Sequence, residues 1–184
     1  MTLFLEAFKI YGKRNYEYVE ATMKKILERQ PGLRRPYDEQ VGVYPCCSIN
    51  VGKHTASYPH TDTVNLAQSW CSITPVGDFD PKLGGHLVLK ELGLVVEFPP
   101  SSTILIPSAL ITHSNTPVRE HETRFSIVQY AAGGLFRWVE NGFMTDREWL
   151  RGATTEQAEQ RKRDNLERWR NAVAMFTTLD ELID

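Results

Sequence analysis

Two residues apart in the stretch YPHTDTVN, His60 and Asp62 are side chains whose types and spacing could do chemistry. In an extended segment a spacing of two sends both side chains off the same face, so an imidazole and a carboxylate can reach one ion. An HxD pair alone is commonly just polar surface. What changes its meaning is His113, at the end of the apolar run TILIPSALITH, where a strand is expected to return it to the mouth of a barrel. Two histidines and one carboxylate form the facial triad that leaves positions open on Fe(II). Those positions give room for a bidentate 2-oxo acid and dioxygen on one metal, which a closed structural site does not.

Such an acid needs a cation for its distal carboxylate, and Arg124 follows His113 by eleven residues at the start of RFSIVQY. Strand periodicity puts Arg124, Ser126, Val128 and Tyr130 on one face and Phe125, Ile127 and Gln129 on the other. Arg124 can make a bidentate carboxylate contact, with the Ser126 hydroxyl as a donor beside it. Asn50, ten residues before His60, is a further candidate for the pocket wall.

These side chains have to be positioned by the rest of the chain. Between Arg14 and Gln30 the apolar residues Tyr16, Val19, Met23, Ile26 and Leu27 recur at helical spacing, and Pro31-Gly32 ends the pattern. A second helix is predicted from Thr154, with Gln157 completing a capping box and Leu166, Trp169, Val173 and Phe176 forming its buried face. Between the helices, short β-type runs alternate with turn signals: VGVYPCCSINV, QSWCSIT, HLVLKEL, LVVEF, TILIP, ALITH and RFSIVQYAA. The expectation is a mainly β fold with flanking helices, its core a double-stranded β-helix of the jelly-roll or cupin kind. At 184 residues the chain reads as one domain: a helical support over about 1–40, a β core over about 41–134 and a helical segment over about 145–178.

With 41% hydrophobic and 24% charged residues, the composition is that of a soluble globular protein. No signal peptide or transmembrane span is evident, and three cysteines, two of them adjacent at Cys46 and Cys47, offer neither an even disulfide framework nor a CxxC zinc pattern. An intracellular, reducing compartment is expected, with Cys46, Cys47 and Cys71 as small buried strand residues. The net charge of −2 gives no global bias toward nucleic acid, yet residues 1–35 carry eight Lys and Arg against four Glu. Those cations could track phosphates or simply form a solvated helix face. The oligomeric state is not legible in the sequence.

Taken together, these blocks resemble the 2-oxoglutarate oxygenases, and among them the TET/JBP branch, which oxidises the methyl group of 5-methylcytosine or thymine in DNA. HTDTVN fits that branch's HxDxxN, HSNTP is similar to its HxxTP, and TRFSIVQY is similar to its TRxSxVxY; the blocks span roughly residues 49–134. The resemblance implies a dioxygenase using Fe(II), 2-oxoglutarate and dioxygen, with methylated DNA or another nucleic acid as partner and the nucleus as one intracellular location; the lack of a transmembrane span adds the expectation of no membrane partner. It makes His60, Asp62 and His113 iron ligands, gives Arg124, Ser126 and His86 to 2-oxoglutarate, and puts Asn65 and Tyr130 at the target base. Base chemistry in a duplex would require the nucleotide to be flipped out, stacked and read at its edge. The chain departs from the animal enzymes in having Ala132 where they have a second base-contacting histidine, and in lacking their cysteine-rich region. Two other readings stay open: the same chemistry on a protein side chain or small molecule, and a non-catalytic nucleic-acid-binding relative.

Overall fold

Seven short strands build two antiparallel sheets in the computed structural model, which describes residues 2–35 and 42–183. Helices α1 (Thr2–Tyr11) and α2 (Lys13–Arg29) precede β1 (Cys46–Asn50), β2 (Cys71–Asp78), β3 (Leu87–Leu89), β4 (Leu94–Val96), β5 (Ile104–Ile106), β6 (His113–Asn115) and β7 (Thr123–Tyr130). Helices α3 (Gly133–Glu140), α4 (Asp146–Gly152) and α5 (Thr155–Val173) follow. The larger sheet runs β1-β7-β2-β5 and the smaller β4-β3-β6, so the chain passes repeatedly from one sheet to the other, as in a jelly roll. The mainly β architecture with flanking helices is the one expected.

Cys71, Ile73, Leu87, Leu89, Phe98 and Ile106 form one buried cluster joining strands of both sheets. A second cluster seats the N-terminal helices: Leu5, Phe8, Tyr16 and Val19 pack with Val43, Tyr44, Ala131 and Phe136. Phe8 stacks on Tyr44 with ring centroids 5.5 Å apart. The helical periodicity of α2 thus buries Tyr16, Val19, Met23 and Ile26, as its spacing predicts.

The long pairing of β2 with β7 sets the position of Arg124, which lies opposite Gly77. Gly77 has φ +130°, and a Cβ there would collide with the carbonyl oxygen of Thr123. Only glycine fits this approach.

Four sequence expectations need correction. Val43 and Tyr44 are buried but precede the ladder, which begins at Cys46; Pro45, lacking an N–H, separates them from it. Val41, where that run begins, lies outside the described residues. ALITH is not a strand ending at His113. Ser108 to Leu110 form a turn closed by the Leu110 N–H on the Pro107 carbonyl at 2.9 Å, and His113 opens β6. Cys46 and Cys47 are only partly buried at the start of β1, unlike Cys71. Finally, Leu166, Trp169 and Val173 of α5 are 72%, 61% and 59% exposed, so the predicted apolar face is not a buried one. A few apolar residues on so charged a helix present too narrow a stripe for core packing. Polar contacts hold it instead: the Thr154–Gln157 capping box, Arg168 at 3.6 Å from Glu140, and Arg161 paired with Asp146 and lying over the Trp149 ring.

Candidate metal centre

A single antiparallel bridge brings the two histidines together. The His60 N–H donates to the His113 carbonyl at 3.1 Å and the His113 N–H to the His60 carbonyl at 2.9 Å. The rings then lie 4.4 Å apart between centroids. Each ring is oriented by a backbone carbonyl two residues earlier: His60 Nδ1 meets Tyr58 O at 2.8 Å and His113 Nδ1 meets Ile111 O at 2.9 Å. A carbonyl only accepts, so Nδ1 donates in both rings and Nε2 is the nitrogen left to face a ligand. Metal-binding histidines are commonly oriented in this way.

Asp62 completes the group, with Oδ1 at 3.6 Å from His60 Nε2. One ligand atom from each of His60, Asp62 and His113 lies within 4.8 Å of the others. Two imidazoles and a carboxylate suit a borderline divalent transition metal, and three protein donors leave coordination positions free. The donor set therefore fits Fe(II).

These residues open onto a cavity of about 390 Å³ between the sheets, a volume within the range of small-molecule sites. Ser48, Asn50, Ser126, Val128 and Tyr130 line it from β1 and β7, and Leu87, His113 and Asn115 from the smaller sheet. Ser126, Val128 and Tyr130 share the inner face, as expected for alternate residues, while Ile127 and Gln129 face a groove behind the sheet. Among the described residues that groove, of about 1060 Å³, has neither histidine nor carboxylate on its wall, and the candidate metal ligands all open onto the smaller cavity. Asn50 reaches the wall too and donates to Ser126 Oγ at 2.9 Å.

Arg124 is 1% exposed and uses one of its nitrogens, donating from Nη1 to the Thr55 carbonyl at 2.7 Å. Nε and Nη2 are buried without a partner among the described residues. Its guanidinium lies 6.0 Å from the Phe79 ring centroid, and burial lowers its pKa from the ordinary arginine value. Thr55 and Ser126 both line the cavity, which places Arg124 behind its wall. Two unsatisfied donors on a buried cation favour a carboxylate partner.

Asn65 and Tyr130 line the same cavity. Asn65 also donates from Nδ2 to Asp62 Oδ2 at 3.1 Å and to Ser108 Oγ at 3.3 Å. His86 is not on the cavity wall: Nδ1 meets Thr116 Oγ1 at 3.1 Å, and the same hydroxyl accepts from the His86 N–H at 2.9 Å. Sequence reasoning passed over Thr55, Ser57, Ser108 and Asn115. Asn115 had a signal, since it follows His113 by two residues on a strand and so shares its face. Thr55, Ser57 and Ser108 come from loops and had none. Burial pushes the Cys71 thiol up to about 12, helped by the nearby Asp62 charge, so it is protonated and unsuited to nucleophilic work.

No protein-family model and no curated protein matches the chain. Solved structures similar to it include NgTET1 in complex with 5mC DNA, at 16% identity and a TM-score of 0.43 over 67% of this chain and 50% of that one. This chain therefore spans about half the length of the NgTET1 chain. Another is the viral collagen prolyl hydroxylase vCPH from Paramecium Bursaria Chlorella virus-1 with 2OG, at 11% identity and a TM-score of 0.33 over 62% and 71%. At such identities and scores no residue role passes from those proteins to this one. The chemistry rests on the side chains described above.

Proposed function

We propose that the chain is an Fe(II)- and 2-oxoglutarate-dependent dioxygenase that oxidises the methyl group of 5-methylcytosine or a related base in nucleic acid. The observation that carries the oxygenase reading is the convergence of His60, Asp62 and His113 on one cavity backed by a buried Arg124 with two unpaired donors. When bound, Fe(II) supplies the oxidation: dioxygen and 2-oxoglutarate are consumed, one oxygen atom enters the target C–H bond, and succinate and CO2 leave. His60 and His113 would hold the metal through Nε2 and Asp62 through Oδ1. Arg124 would take the distal carboxylate of 2-oxoglutarate, with the Ser126 hydroxyl beside it. Ile73, Leu87 and Val128 put apolar side chains on the cavity wall, which would disfavour water beside them.

The base reading is supported by the HTDTVN, HSNTP and TRFSIVQY blocks and by Asn65 and Tyr130 on one cavity wall. Tyr130 would stack against a flipped base, and Asn65 would offer its edge an amide oxygen. An enzyme of this kind would work in the nucleus. One observation favours the same chemistry on a protein side chain or small molecule: the Asn65 amino group is already taken by Asp62, and Ala132 offers no side-chain donor. Mass spectrometry of methylated DNA, methylated RNA and unmethylated controls, incubated with enzyme, Fe(II), ascorbate and 2-oxoglutarate, tests the assignment. Oxidised 5-methylcytosine with matching succinate is expected. Succinate coupled to no nucleic-acid product would move the substrate to the alternative class, and lack of any turnover would sink the enzyme reading.

A further inference from the structure

Asp62 has two carboxylate oxygens with different neighbours. Oδ1 faces His60 Nε2, and Oδ2 accepts from Asn65 Nδ2 at 3.1 Å. Because a carboxylate accepts and an amide oxygen does not donate, the Asn65 side chain must turn its NH2 toward Asp62. The same NH2 reaches Ser108 Oγ at 3.3 Å, and Ser108 is 1% exposed.

The backbone fixes this arrangement from both sides. The Asp62 N–H donates to the Ser108 carbonyl at 3.0 Å and the Asn65 N–H to the Asp62 carbonyl at 2.9 Å. Asn65 also pairs with Ala132, just beyond β7, and Leu66 N–H donates to the Ala131 carbonyl at 2.7 Å. The turn over 62–65 is thus pinned between the β5–β6 loop and the end of β7.

We infer that Asn65 is a positioning residue for the metal centre: with Ser108 it holds Asp62 Oδ2 away from the ion, so that the carboxylate binds through Oδ1 alone. This rests on the metal-centre reading above and goes beyond a base-contacting role for Asn65. The consequence is chemical. A carboxylate free to rotate can bind through both oxygens, taking one of the positions that a bidentate 2-oxo acid and dioxygen need. A hydrogen bond to Oδ2 opposes that rotation, as outer-shell partners do for metal ligands generally.

The test is Mn(II) binding followed by electron paramagnetic resonance on the full chain, with thermal melting as the control for folding and Co(II) visible absorption as a report on coordination. Asn65→Ala is expected to weaken Mn(II) binding by about 10–100-fold and to change the Co(II) spectrum. Should Asn65→Ala fail to fold, Asn65→Ser keeps a turn-forming side chain without the reach of the amide, and the same loss is expected. A folded variant that binds Mn(II) as the parent does, with the parent's Co(II) spectrum, overturns the positioning role while leaving the metal centre standing. A parent that takes up no Mn(II) overturns the metal centre itself, and the positioning role with it.

Discussion

His60 and His113 exchange backbone hydrogen bonds in both directions, although 53 residues separate them in the chain. This pair determines the centre, because each ring is then oriented by the carbonyl two residues before it in its own segment. The bridge is made by backbone atoms, so it survives a change of side chain.

It follows that His60→Ala, His113→Ala and Asp62→Ala should lose metal without losing the fold. Mn(II) affinity is expected to fall by more than roughly 100-fold, beyond the effect typical of an outer partner. Calorimetric titration against melting temperature separates the two properties, and undiminished binding in any one variant would remove that residue from the triad.

Arg124→Ala should raise the 2-oxoglutarate requirement strongly while leaving Mn(II) affinity near the parent's. Loss of a buried charge partner costs about 2–5 kcal/mol. Arg124→Lys should not restore binding, because a point charge cannot reproduce the two-pronged donor. An unchanged apparent affinity for 2-oxoglutarate in Arg124→Ala would mean that another cation, such as Lys53 or Arg137, anchors the acid.

Gly77→Ala tests the close approach of β2 and β7. The left-handed conformation alone costs a residue with a Cβ about 1–3 kcal/mol, and the collision with Thr123 adds to that. A lowered melting temperature is expected, together with weaker 2-oxoglutarate binding, since Arg124 lies directly opposite. A variant as stable as the parent would show that β2 can withdraw without loss.

Acid should loosen the loop that leads into β7. The Glu122 carboxylate accepts from the Arg119 side chain at 2.6 Å and from the backbone N–H groups of Asp80 and Arg119 at 2.8 Å each. The Arg119 hydrogen bond is the main reason that its pKa falls from 4.5 to about 2. A depressed carboxylate contributes its stability above the unfolded value and loses it as pH falls through the folded one, so the loss runs from 4.5 down to about 2. Thermal melts across that range should show less pH dependence for Glu122→Gln than for the parent. Equal slopes would mean that the ion pair contributes nothing to folding.

Much of the centre was legible because its signals are local. The spacing of two between His60 and Asp62, the period-two face of Ser126, Val128 and Tyr130, and the Thr154–Gln157 capping box all depend on residues a few positions apart, where strand or helix geometry dictates direction. The strand-rich middle of the chain and its two-sheet character followed from the same periodicities. Tertiary structure alone decided the rest. That His60 bridges His113, that Thr55 reaches the cavity from a loop and Ser108 reaches Asn65 from another, and that Arg124 is buried with two donors unpaired among the described residues depend on contacts between distant segments. For the same reason α5 misled: its apolar spacing gives a helix, but a stripe is buried only where another element covers it, and Leu166, Trp169 and Val173 remain exposed. Asn65 combines both levels. Its place three residues after Asp62 set it beside the centre, and only the folded chain turned its amide onto the carboxylate, because a hydrogen bond needs direction as well as proximity.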